Sequence, residues 1–156
     1  MDQNIEIIKN VLNVFFKNCN TYGYEIEVRP IESEHKLFVT INIPMTASLF
    51  IGRFGSNLDA FEIVLTDIAN LNNLTGPIWR VEVDINGYRL NRQRELQDLA
   101  KKAAQRVMIF KASVKLDPMT ARDRKIIHNE ISLYPDLTSA SEGDNPNRCV
   151  VITYTN

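Results

Sequence analysis

In the segment NIEIIKNVLNVFFKNC, the apolar residues Ile5, Ile8, Leu12 and Phe15 recur every three or four positions, the spacing of one helical face. The period then drops to two. Tyr24, Ile26 and Val28 alternate with Glu25, Glu27 and Arg29, and Leu37, Val39, Ile41 and Ile43 alternate with Lys36, Thr40 and Asn42. ESEHK lies between these two runs, so they are expected to form a hairpin. A short helix is expected from Met45 to Ile51, followed by the turn Gly52-Arg53-Phe54-Gly55. Ser56, with Asp59 three residues later, has capping-box spacing for a new helix whose buried stripe is Leu58, Phe61, Leu65, Ile68 and Ala69. NNLTGP breaks that helix. IWRVEVDI then reads as a strand with Trp79, Val81, Val83 and Ile85 inward and Arg80, Glu82 and Asp84 outward. The order helix, strand, strand, helix, helix, strand packs most economically as one three-stranded sheet with helices on a single face.

NGYR, at 86–89, marks a corner and the expected domain boundary, giving an α+β chain of two small domains, 1–86 and 87–156. A long helix is expected from Tyr88 to Phe110, with a core face of Leu96, Leu99, Ala100, Ala103, Val107 and Phe110. ASVKL reads as a short strand ended by Pro118. Thr120 and Asp123 offer a second capping box, for the helix ARDRKIIHNEISLY. The remaining stretch, PDLTSASEGDNPNRCVVITYT, reads as two strands around a Gly/Asn/Pro turn, which makes the second half an αβαββ unit. No internal repeat or low-complexity segment interrupts it.

Composition narrows the function. With 156 residues, 44% of them hydrophobic, the chain can bury a real core. Its 18 Lys+Arg and 19 Asp+Glu leave a formal charge of −1, which argues against a uniformly basic coat. The charge is segregated, however. Residues 1–76 carry 5 basic and 9 acidic side chains, whereas residues 88–128 carry 11 basic and 4 acidic. An anion-binding face requires that kind of segregation. No apolar run approaches the ~18 residues of a membrane span, and MDQNIEIIKN is too acidic for a signal peptide. Cys19, Cys149, His35 and His128 have no zinc-site spacing, so no metal and no cofactor is expected. The two cysteines are expected to be reduced and buried, and the expected compartment is the cytoplasm.

The glycine turn carries the first candidate chemistry. Glycine reaches positive φ and lets a ligand backbone come within contact distance. The helix behind it presents unsatisfied N–H groups at the positive end of its dipole, and Arg53 adds a charge. A P-loop would need Gly-Lys-Ser/Thr, and here Ser56-Asn57 follows Gly55. A dinucleotide fingerprint would need a third glycine and a preceding parallel strand, and neither is expected here. The plainer alternative is that Gly52 only ends one helix and Gly55 only shapes a tight turn. Likewise, His128 read alone fits a core histidine, and Arg92, Arg94, Lys101, Lys102 and Arg106 fit a solvated helix face. Ser139, Ser141 and His128 make no hydrolase pattern, because there is no Gly-x-Ser-x-Gly elbow and no orienting acid in the sequence. No catalytic constellation emerges, and the chain is expected not to be an enzyme.

In this context the turn resembles the GXXG loop of a type II KH domain, which clamps nucleic-acid backbone, and the resemblance covers residues from about 4 to 85. DPMTARDRKIIH resembles the R-three-H domain, a nucleic-acid-binding domain named for an Arg and a His that fall here at Arg124 and His128. TSASEGDNPNRCVVI is similar to that family's closing hairpin, with Ser141, Glu142, Gly143 and Arg148 at matching positions. INGYRLNRQRELQDLAKKAAQRV resembles the helix joining the two domains in the Jag family, also called KhpB or EloR. Asp123 stands where that family commonly has Glu, and Asn145 where it usually has Gly. Its members usually carry an N-terminal Jag domain and a charged linker, so a shortened member or a trimmed chain is implied.

The resemblance implies a bacterial, cytoplasmic, single-stranded RNA-binding protein, with single-stranded DNA as a further ligand. It further implies a post-transcriptional regulator tied to cell elongation and division, with a small KH protein as partner. The implied RNA contacts are Gly52, Arg53, Phe54, Gly55, Ser56, Arg124, His128 and Arg148, with Arg122, Lys125, Arg94 and Lys101 as further candidates. Arg124 and His128, spaced i and i+4, share a helical face that is expected to be open to solvent. The rival reading is a protein-interaction module that regulates an enzyme such as an ATPase through the same surfaces.

Overall fold

The computed structural model describes residues 2–71 and 76–155. They form two compact units, one ending at Arg89 and the other beginning at Leu90. The fold is α+β, with a three-stranded sheet in each unit.

The first unit runs α1 (Asp2–Asn18), β1 (Glu25–Ile31), β2 (Lys36–Asn42), α2 (Ala47–Ile51), α3 (Ser56–Asn70) and β3 (Arg80–Ile85). Along α1 the row that reaches the core is Ile8, Leu12 and Phe16, each essentially fully buried. Phe15, the expected core position, is 37% exposed instead. Its ring lies edge-on to Phe16, Phe50 and Phe61, with centroids 5.5, 5.9 and 5.0 Å away. The strands follow their alternation: Val28 pairs with Val39, and Val39 with Val83. Val28, Leu37, Val39, Ile41, Val81, Val83 and Ile85 are buried with the helix residues in one core.

β1 and β2 are antiparallel, whereas β2 and β3 are parallel, with α2 and α3 forming the crossover between them. A strand of a parallel pair therefore does precede the glycine turn, contrary to the sequence reading. α2 starts at Ala47 rather than Met45, because Thr46 takes a left-handed φ of 63°. The expected break after α3 falls partly on residues 72–75, outside the described residues.

Asp84 is also not where alternation puts it. It is buried, and its Oδ1 accepts the backbone N–H of Arg89 at 2.9 Å. Burial pushes its carboxyl above the usual carboxylate range, partly opposed by backbone hydrogen bonds. The corner itself is pinned by Asn86, whose side chain accepts from Ile43 N–H and donates to Ile43 C=O, both at 2.8 Å.

The second unit contains most of α4 (Tyr88–Phe110), then β4 (Val114–Lys115), α5 (Ala121–Ile131), β5 (Leu137–Glu142) and β6 (Cys149–Tyr154). Its sheet order is β4-β6-β5, antiparallel throughout. Leu96, Ala100, Ala103, Ala104 and Val107 of α4 are buried against Ile127, Ile131, Leu137, Val150 and Ile152. Leu99 and Phe110, expected in the core, are 40% and 72% exposed, whereas Ala104, not expected there, is fully buried.

Thr120 caps α5, its hydroxyl accepting the Asp123 N–H at 3.2 Å. The helix ends at Ile131, short of the expected Tyr134. Cys149 is buried as expected, whereas Cys19 is exposed at the end of α1. Among the described residues, no helix is long and apolar enough to cross a membrane.

Candidate nucleic-acid interface

Gly52 sits at φ 72°, ψ 177°, a combination essentially open only to glycine. A Cβ there would lie 2.6 Å from Cγ of Asn57 and 2.8 Å from the Ser56 hydroxyl. Asn57 needs that space, because its Nδ2 donates to Leu49 C=O at 2.7 Å and staples the end of α2 to the start of α3. Phe54 and Gly55 are left-handed as well, at φ 55° and 82°. Gly55 is buried, and a Cβ on it would come 3.0 Å from Cε1 of Tyr88. The turn is thus over-determined from two sides. Arg53 is exposed, its guanidinium 5.1 Å from the centre of the Phe54 ring.

The capping box expected at Ser56 and Asp59 does not form. Gly55 occupies the N-cap position, no side-chain hydrogen bond caps it, and Ser56 is already the first residue of α3. Asp59 is drawn elsewhere: its Oδ1 accepts from both Nη1 and Nη2 of Arg89 at 3.2 Å. Arg89 also donates to Glu62 and to Val83 C=O. The first N–H groups of α3 therefore face the mouth of the turn with Arg53 beside them, an arrangement suited to an anion.

In the second unit, α5 and β5 bring Arg124, His128, Ser139 and Ser141 together. Period-two alternation puts Leu137, Ser139 and Ser141 on the same face of β5. Leu137 enters the core. The two hydroxyls meet the ring of His128, with Nδ1 to Ser139 Oγ at 2.7 Å and Nε2 to Ser141 Oγ at 2.8 Å. Arg148 donates to Ser141 C=O at 3.3 Å and to Gly143 C=O at 3.2 Å, holding the end of the hairpin.

Arg124 is not on an open face, contrary to expectation. It is 9% exposed, and its Nη1 donates to Met119 C=O at 2.8 Å. Partial burial, and secondarily the charge of Arg124, hold the His128 imidazole below its ordinary pKa of 6.5. At neutral pH the ring is therefore uncharged, with one nitrogen accepting and the other donating.

Arg94 and Lys101 stand exposed on α4, two helical turns apart, and Arg122 and Lys125 stand exposed on α5. Among the described residues no cluster of His, Cys, Asp or Glu could hold a metal ion. The sequence reading gave Tyr88 and Asn57 no part in the turn, and weighed Ser139 with Ser141 and His128 only as a hydrolase pattern. Only Ser139 left a signal: in a strand, Ser-x-Ser presents both hydroxyls to one side.

The αβαββ unit, with an Arg and a His one helical turn apart on α5, defines the class. A model of the R-three-H domain matches residues 94–154. The chain is 41% identical over 110 residues to "RNA-binding protein KhpB" of Bacillus subtilis (strain 168), covering 69% of this chain and 52% of that protein. It is 40% identical over 102 residues to the protein of the same name in Streptococcus pneumoniae serotype 2, covering 65% of this chain and 30% of that one. The match to the Clostridium symbiosum KhpB is 28% over 152 residues, 97% of this chain and 65% of the relative. The chain belongs to the KhpB (Jag) family, and it spans about half the length of the Bacillus relative.

Proposed function

We propose that this chain is a non-enzymatic, single-stranded RNA-binding protein that works as a bacterial post-transcriptional regulator linked to cell elongation and division. The observation that carries the reading is the polar cluster of the R-three-H segment. There two hydroxyls flank a neutral imidazole, Arg124 lies one helical turn away, and Arg148 braces the same hairpin. Among the described residues no carboxylate hydrogen-bonds His128, so the ring lacks the orienting acid of a hydrolase. The KH-like turn adds a second place for backbone phosphates, at Gly52, Arg53, Phe54, Gly55 and Ser56. Splayed, single-stranded RNA fits such modules better than duplex, and single-stranded DNA is the weaker alternative.

One observation favours an additional protein contact. An apolar groove of about 440 Å³ runs between α1, α2 and α3, lined by Val11, Phe15, Leu49, Phe61 and Val64 among others. It supports the reading that a small KH protein, or an enzyme such as an ATPase, is also engaged. The cytoplasm is the compartment that goes with the RNA-binding reading. Binding of single-stranded RNA against salt tests the main reading. If about 3–5 phosphates are neutralised, log K should fall against log salt with a slope near −2 to −3.5, at ~0.7 per phosphate. A slope near zero sinks it.

A further inference from the structure

Most prominent features of the molecule are already spoken for. Arg89 is absorbed in fixing Asp59, Glu62 and the corner at Asp84. Arg92 is committed to Asp123, and Arg124 to Met119 C=O. The contact of His128 with two hydroxyls differs, because it leaves a proton without an assigned acceptor.

A neutral imidazole between two hydroxyls makes them unequal. The serine facing the unprotonated nitrogen gives its proton to the ring in a hydrogen bond. The serine facing the ring N–H receives a hydrogen bond and keeps its own proton for another acceptor. Both serines and the ring are half-buried, so that proton belongs to a partly dry site that an outside acceptor can still reach. An outside acceptor placed there meets a hydroxyl whose oxygen is already held by the ring, so less freedom is lost on binding. The charge of Arg124 is felt at the ring, and Arg148 lies along the same strand end. These favour an anionic acceptor over a neutral one.

We propose that the second unit grips a phosphate oxygen of single-stranded RNA through the Ser139/Ser141 pair, the serine that receives the ring N–H being the one that donates, with His128 as the positioning residue that decides which proton is free. On this view Arg124 acts through its charge and through its hold on Met119, not by direct contact. The inference rests on the RNA-binding reading above and goes beyond it in naming the contacting atoms.

The test uses the full chain carrying Arg53→Asp and Phe54→Asp, so that the first unit contributes little, and a short oligouridylate as probe. Adding Ser139→Ala and Ser141→Ala should weaken binding roughly tenfold, the loss of about one hydrogen bond to a charged group. The slope of log K against log salt should not change, because a neutral contact releases no counterion. His128→Gln, which keeps one donor and one acceptor, should retain most of the affinity, and His128→Leu should lose as much as the serine pair.

Equal binding with and without the serines overturns the proposal, as does an equal loss in the Gln and Leu variants. Absence of binding in the Asp background, with the parent still binding, overturns it as well but spares the RNA reading. A parent chain that does not bind RNA ends both. Should the serine variant not fold, the ring ¹⁵N resonances of His128 in the parent decide. They should shift on adding the oligouridylate while the ring stays singly protonated, and unchanged resonances overturn the idea.

Discussion

Nε and Nη2 of Arg92 both reach Oδ2 of Asp123, at 3.3 and 2.9 Å, and so tie α4 to the first turn of α5. The Asp123 side chain is 5% exposed, so the pair is largely withdrawn from water. Truncating Asp123 takes from Arg92 its shorter carboxylate contact and leaves the longer one, to Glu95 at 3.3 Å. Asp123→Ala should therefore lower stability by about 3 kcal/mol, whereas Thr120→Ala, which removes only the cap, should cost about 1 kcal/mol. Urea unfolding of both variants checks the ranking. Equal losses would mean that the ion pair contributes little.

Gly55→Ala should be costly for two separable reasons. The left-handed φ of 82° penalises any Cβ by about 1–2 kcal/mol, and the Tyr88 ring stands in the way. In a Tyr88→Ala background only the first cost remains. A double-mutant cycle should show Gly55→Ala less damaging once Tyr88 is gone. Strict additivity would show that the ring simply moves aside.

Charge reversal at the turn should separate binding from folding. Replacing Arg53 and Phe54 by aspartates puts negative charge at the mouth of α3. Phe54 sits at φ 55°, which aspartate tolerates better than phenylalanine does. The thermal midpoint should hold or rise while RNA affinity falls steeply, as read by circular dichroism and anisotropy. A protein that unfolds would show that Phe54 is needed for packing.

Arg124→Ala should destabilise the protein by about 2 kcal/mol, because it strands the Met119 carbonyl and removes a charged, buried hydrogen bond. The same change should raise the pKa of His128 toward its ordinary value, since the Arg124 charge is one of the two causes of its depression. Ring resonances followed against pH measure that directly. An unmoved titration would mean that burial alone sets it.

The depressed His128 pKa also gives stability a pH dependence of known sign. Below 6.5 the unfolded chain takes up the proton before the folded one does, so stability falls as pH drops. The loss starts near 6.5 and is complete below the folded-state pKa. His128→Gln should flatten this part of the profile, from about 6.5 downward. Superimposable profiles for parent and variant would argue that the ring titrates alike in both states.

Local rules carried much of the fold. The alternation in KLFVTINI put Leu37, Val39 and Ile41 inside, and the α4 pattern gave both of its ends, Tyr88 and Phe110. Long-range competition was not legible. Ser56 and Asp59 have capping-box spacing, yet Asp59 is claimed by Arg89 from far along the chain. Asp123 has the same spacing from Thr120, but its carboxylate goes to Arg92. Asp84 was placed outside because alternation cannot register the corner that folds Arg89 over it. The glycine loop and the Arg124–His128 pair could be found as motifs. That Arg124 is buried while its neighbour His128 engages two hydroxyls depends on β5 lying across α5, which no helical spacing encodes.

The parallel pairing of β2 with β3 has a consequence for the order in which the first unit assembles. β1 and β2 join through a short turn and can zip as soon as they leave the ribosome. Lys36 cannot meet Arg80 until α2, the glycine turn and α3 have folded back across the sheet. Until then β2, with Leu37, Val39 and Ile41, has one open edge that any other nascent strand can pair with. The Asn57–Leu49 staple lies entirely within that crossover. The bond spans only eight residues, so it belongs to the local contacts that can form before the long-range pairing of β2 with β3.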